Sequence, residues 1–313
     1  MIRAVESWIC SLLLGTIAAL AIVSQAGAAT LKDAAESYRH YLIDDISQAL
    51  AGACALREHL IDHDLDGARK AWIAARVGWE RSEVFTSGFV PELDQQIDAW
   101  PDASHGFHGI EAMLFGAGHT HVAAETDALI AHLADLRAQL DHVDLAPQRM
   151  LNGIARLAFE IGGNKADGGE SRLSGTALND LQSNADGIAL AYRVIFADVM
   201  EASDPRIAAA VRAAIERLQA AVKVPDLRKL DADRLRTDSE ELVALLQMAA
   251  PKIGLNKPTL EEGARSQRFG DNDGDGQSSR LLPGGDPGKA SHRDHIDIPI
   301  EDVRVQRRSI AID

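Results

Sequence analysis

The chain has 313 residues, 46% hydrophobic and 25% charged, with 32 basic against 47 acidic residues and a formal charge of -15. That hydrophobic fraction excludes wholesale disorder, and the acidic excess excludes a nucleic-acid or anionic-membrane partner, which would repel it. Aromatics are only 4%, a mix that favours helices over a β-sandwich.

Residues 1–28 read as a cleaved signal peptide. Arg3 opens it, an apolar run follows from Cys10 to Val23, and Ala26-Gly27-Ala28 offers a small-x-small cleavage site. The apolar run is shorter than the roughly 20 residues that span a bilayer. The expected location is therefore the periplasm. Cleavage would leave Cys54 as the one remaining cysteine, and its Ala-rich surroundings suggest a small core residue.

From Leu31 to Gly254 the apolar spacing predicts helices almost throughout. The first carries Tyr38, Leu42, Ile46, Leu50 and Leu56 inward. Asp64 and Asp66 open a second, which runs through Trp72 to Val84. Gly88, Pro91 and Pro101 mark residues 85–104 as a long ordered loop. A short helix is expected over residues 105–115, stopped by Gly116 and Gly118. Further helices are predicted over residues 123–143, 147–161, 177–200, 205–224 and 237–253. Pro147 and Pro205 suit first helical turns. This is an all-α chain of helical bundles, with a helical domain over residues 29–257. Residues 258–313 form a flexible acidic tail, in which Ile296, Ile298 and Ile300 could make a short edge strand beside Pro299. Asp271, Asp273, Asp275 and Gly276 have the spacing of a calcium loop. Its twelfth position is Leu282 where an EF-hand needs a bidentate Glu, so the run reads as a solvated linker.

Four segments carry metal-type chemistry. Glu80 and Glu83 stand one helical turn apart, so their carboxylates share a face and repel, a penalty that a cation would remove. His108 and Glu111 have the same spacing, which lets one helix present an imidazole and a carboxylate to a transition metal. Gly106 and Gly109 around them are poor helix formers that admit a close neighbour. Asp94 and Asp98 lie in the predicted loop between these pairs. Glu160 precedes a Gly-rich charged segment that holds Lys165, Gly168 and Glu170.

Together these patterns resemble the imelysin-like family, which includes the EfeO-type periplasmic iron-uptake proteins. The family's Gly-x-His-x-x-Glu is matched by Gly106, His108 and Glu111, and its Trp-Glu-x-x-Glu by Trp79, Glu80 and Glu83. Asp94, Ile97 and Asp98 match its Asp-x-x-Ile-Asp loop. Glu160, Lys165, Gly168 and Glu170 fit its Glu…Lys…Gly-x-Glu segment, and residues 181–187 its Phe-Gln-Ala-Asn-x-x-Gly. Two departures stand out. The family's Gly-Glu-Glu is Gly168-Gly169-Glu170 here, and its Arg-Tyr-Ser-His is Arg172-Leu173-Ser174-Gly175. The resemblance implies a bilobal fold of two four-helix bundles with a metal site in the cleft. It implies His108 and Glu111 as ligands, with Glu80, Glu83 and Asp98 as further groups around the metal. Iron, ferrous or ferric, is the implied metal, with zinc, copper or manganese as alternatives. An inner-membrane iron permease and a periplasmic peroxidase are the implied partners. A metallopeptidase is the alternative function, but Ala112 follows Glu111 where an inverted zincin has its second histidine. A polysaccharide-binding or interaction module is the remaining reading.

Overall fold

The computed structural model describes residues 2–99, 104–163, 165–166 and 171–260, with side chains from Thr30 onward. Every regular element among the described residues is helical. No helix among them is long and apolar enough to cross a membrane. The expected tail, its calcium-like run and its edge strand lie outside the described residues.

Helix α1 spans Ile2–Ile61 and α2 spans Leu65–Phe89. Asp64 caps α2 by accepting the Gly67 N–H at 2.9 Å, the role its position predicts. Of the loop expected over residues 85–104, the stretch 85–97 is almost wholly helical instead, and residues 100–103 lie outside the described residues. Helix α2 continues five residues beyond Val84, and α3 occupies Pro91–Ile97. Pro91 initiates that helix rather than breaking one, because a first-turn residue has no intrahelical N–H to lose. Glu92 and Asp94 add first-turn acids, which the helix dipole favours.

Helix α4 (Gly106–Glu111) runs into a π-helical turn at Ala112–Ala117, which ends at Gly118 with φ +69°. Then follow α5 (Ala123–Gln139), α6 (Pro147–Gly162) and α7 (Ala177–Ala191). A second π-helical turn, Tyr192–Phe196, leads into α8 (Ala197–Ser203). Helices α9 (Pro205–Ala221) and α10 (Ala232–Ala249), with 3-10 turns at Leu227–Lys229 and Ala250–Ile253, complete the described elements. Pro147 and Pro205 both sit in first helical turns, as expected.

The helices pack as two rings of four. In the first, α1 meets α2 and α5, and α4 meets both α2 and α5. In the second, α6 meets α7 and α10, and α9 meets both of those. Helix α2 belongs to the first ring and also packs on α6 and α7. Two glycines permit that. A Cβ on Gly153 of α6 would lie 1.9 Å from the Val84 carbonyl oxygen, and one on Gly187 of α7 would lie 2.3 Å from that of Arg81.

Tyr38, Leu42, Ile46 and Leu56 of α1 are fully buried, together with Trp72 and Trp79 of α2 and Phe107 of α4. Cys54, expected in the core, is exposed. Its neighbours Ala53 and Leu56 take the inward face, and one residue's step of about 100° carries the thiol outward.

Candidate metal centre

The buried faces of α2, α4 and α7 are not wholly apolar. Arg76 and Glu80 on α2, His108 and Glu111 on α4, and Asp180 and Asn184 on α7 are all buried. They meet at one place. Charges so placed must be paired, since an isolated buried charge costs several kcal/mol.

Arg76 is the hub. Its guanidinium donates to Asp98 Oδ1 at 2.7 Å, to Asp180 Oδ2 at 3.3 Å and to Glu80. It also lies over the rings of Trp72 and Phe107. The Trp79 indole N–H donates to Asp98 Oδ1 at 3.0 Å, and the Trp72 indole N–H to the Phe107 carbonyl at 3.0 Å. These bonds tie α2 to α4 and to the chain that leads into it. Gly106 opens α4 at φ +64°, with the space of its missing Cβ 2.6 Å from the Ile97 carbonyl oxygen. Only glycine fits both conditions, and the backbone at Asp98 and His108 is thereby brought together, with the His108 N–H on the Asp98 carbonyl at 3.3 Å.

The His108 imidazole stands between two carboxylates. Its Nε2 is 3.7 Å from Asp98 Oδ2 and its Nδ1 is 3.4 Å from Glu111 Oε2. Burial disfavours the imidazolium, but the Asp98 charge and hydrogen bonds to Asp98 and Glu111 outweigh it and push the pKa up to about 9. For Asp98, burial is likewise overridden, by Arg76 and then His108, and its carboxyl is held far below the usual range. Glu111 is lowered as well: burial is outweighed by its bonds from His108 and Ser174. Ser174 grips Glu111 Oε1 twice, through its amide at 2.8 Å and its hydroxyl at 2.7 Å.

Glu80 and Glu83 do share a face, as their spacing requires. Asn184 Nδ2 donates to both, at 2.9 and 2.8 Å, and the Lys165 ammonium lies 3.5 and 2.8 Å from them. Their repulsion is therefore offset by Lys165 and Arg76. Asp180 accepts from the Ser171 hydroxyl. Burial raises its pKa to about 6 although Arg76 opposes the shift.

All five sequence-predicted residues thus belong to one network: Asp98, His108 and Glu111 at one end, Glu80 and Glu83 at the other, with Arg76 bridging Glu80 and Asp98. Among the described residues, no group of three or more His, Cys, Asp or Glu side chains is arranged to hold a metal ion. Sequence reasoning missed Arg76, Asp180 and Ser174. Arg76 had a signal, its i,i+4 spacing to Glu80. Asp180 and Ser174 had none beyond their place near matched motifs.

The family model for imelysin (Peptidase_M75) matches residues 34–105 and 102–253. Over 160 residues the chain is 31% identical to a protein of Yersinia pseudotuberculosis named iron uptake system component EfeO. That match covers 48% of this chain and 42% of the relative. An Efem/EfeO family lipoprotein of Staphylococcus aureus is 27% identical over 194 residues, covering 57% of this chain and 66% of the relative. The chain thus spans less than two thirds of the length of either relative. A crystal structure described as an iron-regulated protein A precursor from Parabacteroides distasonis superposes with a TM-score of 0.59 at 17% identity. It covers 71% of this chain and 95% of that one, a likeness of fold.

Proposed function

Because the chain belongs to the imelysin family, we propose that it is an exported protein that binds iron as cargo for uptake. Residues 1–28 direct it to the periplasm, and an iron permease and a peroxidase are its partners there. The name of one relative, iron uptake system component EfeO, supports the iron-uptake reading, and the family name of the other shares it. The donor chemistry supports it too. Carboxylates with one imidazole suit iron, manganese or zinc, and without a thiolate in the cluster copper(I) is disfavoured.

The observation that carries the reading is the 3.7 Å separation of His108 Nε2 and Asp98 Oδ2. It is longer than the ~2.7–2.9 Å of a tight charge-assisted pair, so the bond between them is weak. Two donors that each lie ~2.1 Å from one ion in a tetrahedral array stand about 3.4 Å apart, so a shift of a few tenths of an ångström lets both reach one cation. Glu111, on the other ring nitrogen, is suited to orient the imidazole, as carboxylates do for metal-bound histidines. Charge favours a cation as well. Among the described residues, five carboxylates, Glu80, Glu83, Asp98, Glu111 and Asp180, share the charges of Arg76, Lys165 and the imidazole.

Calorimetric titration with iron tests this. His108→Ala and Asp98→Asn are expected to lower affinity tenfold or more, and Glu111→Gln by about 10–100-fold through loss of orientation. Helical content, read by circular dichroism, should be unchanged. Parent-like iron binding by both His108→Ala and Asp98→Asn would overturn the assignment.

A further inference from the structure

Each carboxylate beside the His108 imidazole has one oxygen already engaged. Asp98 Oδ1 accepts from Arg76 at 2.7 Å and from the Trp79 indole at 3.0 Å, which leaves Oδ2 toward Nε2. Glu111 Oε1 accepts both the amide and the hydroxyl of Ser174, at 2.8 and 2.7 Å, which leaves Oε2 toward Nδ1. We propose that Ser174 is a positioning residue for iron: by holding Glu111 Oε1 it keeps Glu111 as the partner of His108 Nδ1, so that Nε2 is the nitrogen presented to the ion. The inference rests on the iron reading of this cluster.

The two sides of the imidazole are not equivalent. The Asp98 side chain is 18% exposed and that of Glu111 only 3%, so the Nε2 side is the one open to an arriving ion. To ligate, Glu111 would have to give up two bonds of full charge-assisted strength, in a place where water does not replace them. The partner of one ring nitrogen decides which nitrogen takes the metal. With Glu111 engaged in this way, His108 and Asp98 are the pair left to an ion. That agrees with the lack, among the described residues, of any group of three or more His, Cys, Asp or Glu side chains arranged to hold one.

The grip comes from far along the chain. Ser174 lies 63 residues after Glu111, in the segment between α6 and α7. Gly175, at φ +71°, bonds the Ser171 carbonyl at 3.1 Å and closes a turn there. In that turn Ser171 donates to Asp180 while Ser174 donates to Glu111. Thr176 Oγ1 lies 2.9 Å from Ser174 Oγ. A hydroxyl both donates and accepts, so Thr176 supplies a proton to Ser174 and leaves the Ser174 proton to Glu111. The segment that leads into the second ring thus orients an imidazole of the first.

Calorimetric titration with iron compares the parent with Ser174→Ala, Ser174→Thr, Glu111→Gln and the Ser174→Ala/Glu111→Gln double variant, with His108→Ala as the control for the site. Ser174→Ala is expected to weaken iron binding severalfold, up to about tenfold, and Ser174→Thr, which keeps the hydroxyl, to restore most of it. In the Glu111→Gln background Ser174→Ala should cost nothing more, because it acts through Glu111, whereas a merely structural role would add its cost in both backgrounds. With zinc as a diamagnetic probe, nitrogen NMR of the imidazole should place the metal on His108 Nε2 in the parent and on a mixture of the two nitrogens in Ser174→Ala. Parent-like iron binding by Ser174→Ala beside an impaired His108→Ala would overturn the proposal and leave the iron reading standing. An equal loss in both backgrounds, or zinc on Nδ1 in the parent, would do the same. Parent-like binding by His108→Ala would overturn the iron reading and this inference with it.

Discussion

Asp45 shows what one buried carboxylate costs and how the chain contains it. It lies on α1, buried, with Arg81 of α2 at 2.7 Å on one oxygen. Its other oxygen has no hydrogen-bond partner among the described residues. Burial pushes its pKa up to about 6; Arg81 offsets part of this and Asp44 adds to it. The folded chain therefore holds the proton more tightly than the unfolded one, whose ordinary value is 3.8. By linkage, this group's stabilising contribution is complete below about pH 4 and is lost as pH rises through 6. Asp45→Asn removes the titration while keeping the shape. Unfolding midpoints in urea, measured from pH 4 to 7, should show the variant gaining on the parent across that window. A parallel pair of curves would mean that Asp45 is not strained by burial. Arg76 makes the complementary point. Its i,i+4 partner Glu80 was readable from spacing, but its bonds to Asp98 and Asp180 reach 22 and 104 residues along the chain. Helical periodicity carries no information over such distances, so the sequence pattern suggested unshielded carboxylates where the fold supplies an internal cation.

Among the elements, α2 has the most demanding contacts, and its neighbours carry glycine where they touch its backbone. Gly153→Ala would place a methyl group 1.9 Å from the Val84 carbonyl oxygen. A carbonyl cannot yield as a flexible side chain does, so α6 and α2 must separate, at a cost of about 1–3 kcal/mol. Gly88 of α2 is the contrast, because nothing lies within 4 Å of its would-be Cβ. Gly88→Ala should be neutral to stabilising, by up to about 1 kcal/mol from helix propensity. Chemical denaturation of the two variants measures the difference, and equal midpoints would contradict the close approach. The helices themselves are legible, because their apolar stripes recur at 3.6 residues and Asp64 and Pro205 stand where helices start. The region 85–104 was misread as loop because Pro91 starts a helix as readily as it ends one. Cys54 was misplaced because an Ala-rich stretch leaves the inward face of α1 weakly marked.

Across the described residues, two rings of helices join chiefly through α2, and the polar network lies along that join. Its members come from α2, from the chain after α3, from α4, from the segment 165–174 and from α7. Motif spacing could name His108, Glu111, Glu80, Glu83 and Asp98, since each pair lies on one helix or in one short segment. It could not rank them, because which nitrogen of His108 faces which carboxylate is a tertiary fact. That arrangement has a consequence for stability. An ion held by His108 and Asp98 would bind only the folded chain, because the two groups meet only after α2, α3 and α4 pack. At one hundred times its dissociation constant such a ligand stabilises by about 2.7 kcal/mol. For a helical unit of this size that raises the melting temperature by about 5–10 °C. A thermal melt followed by circular dichroism, with and without iron, should show this shift in the parent. His108→Ala should lose it, because its donor pair is broken. A shift of equal size in His108→Ala would place the stabilising iron elsewhere in the chain.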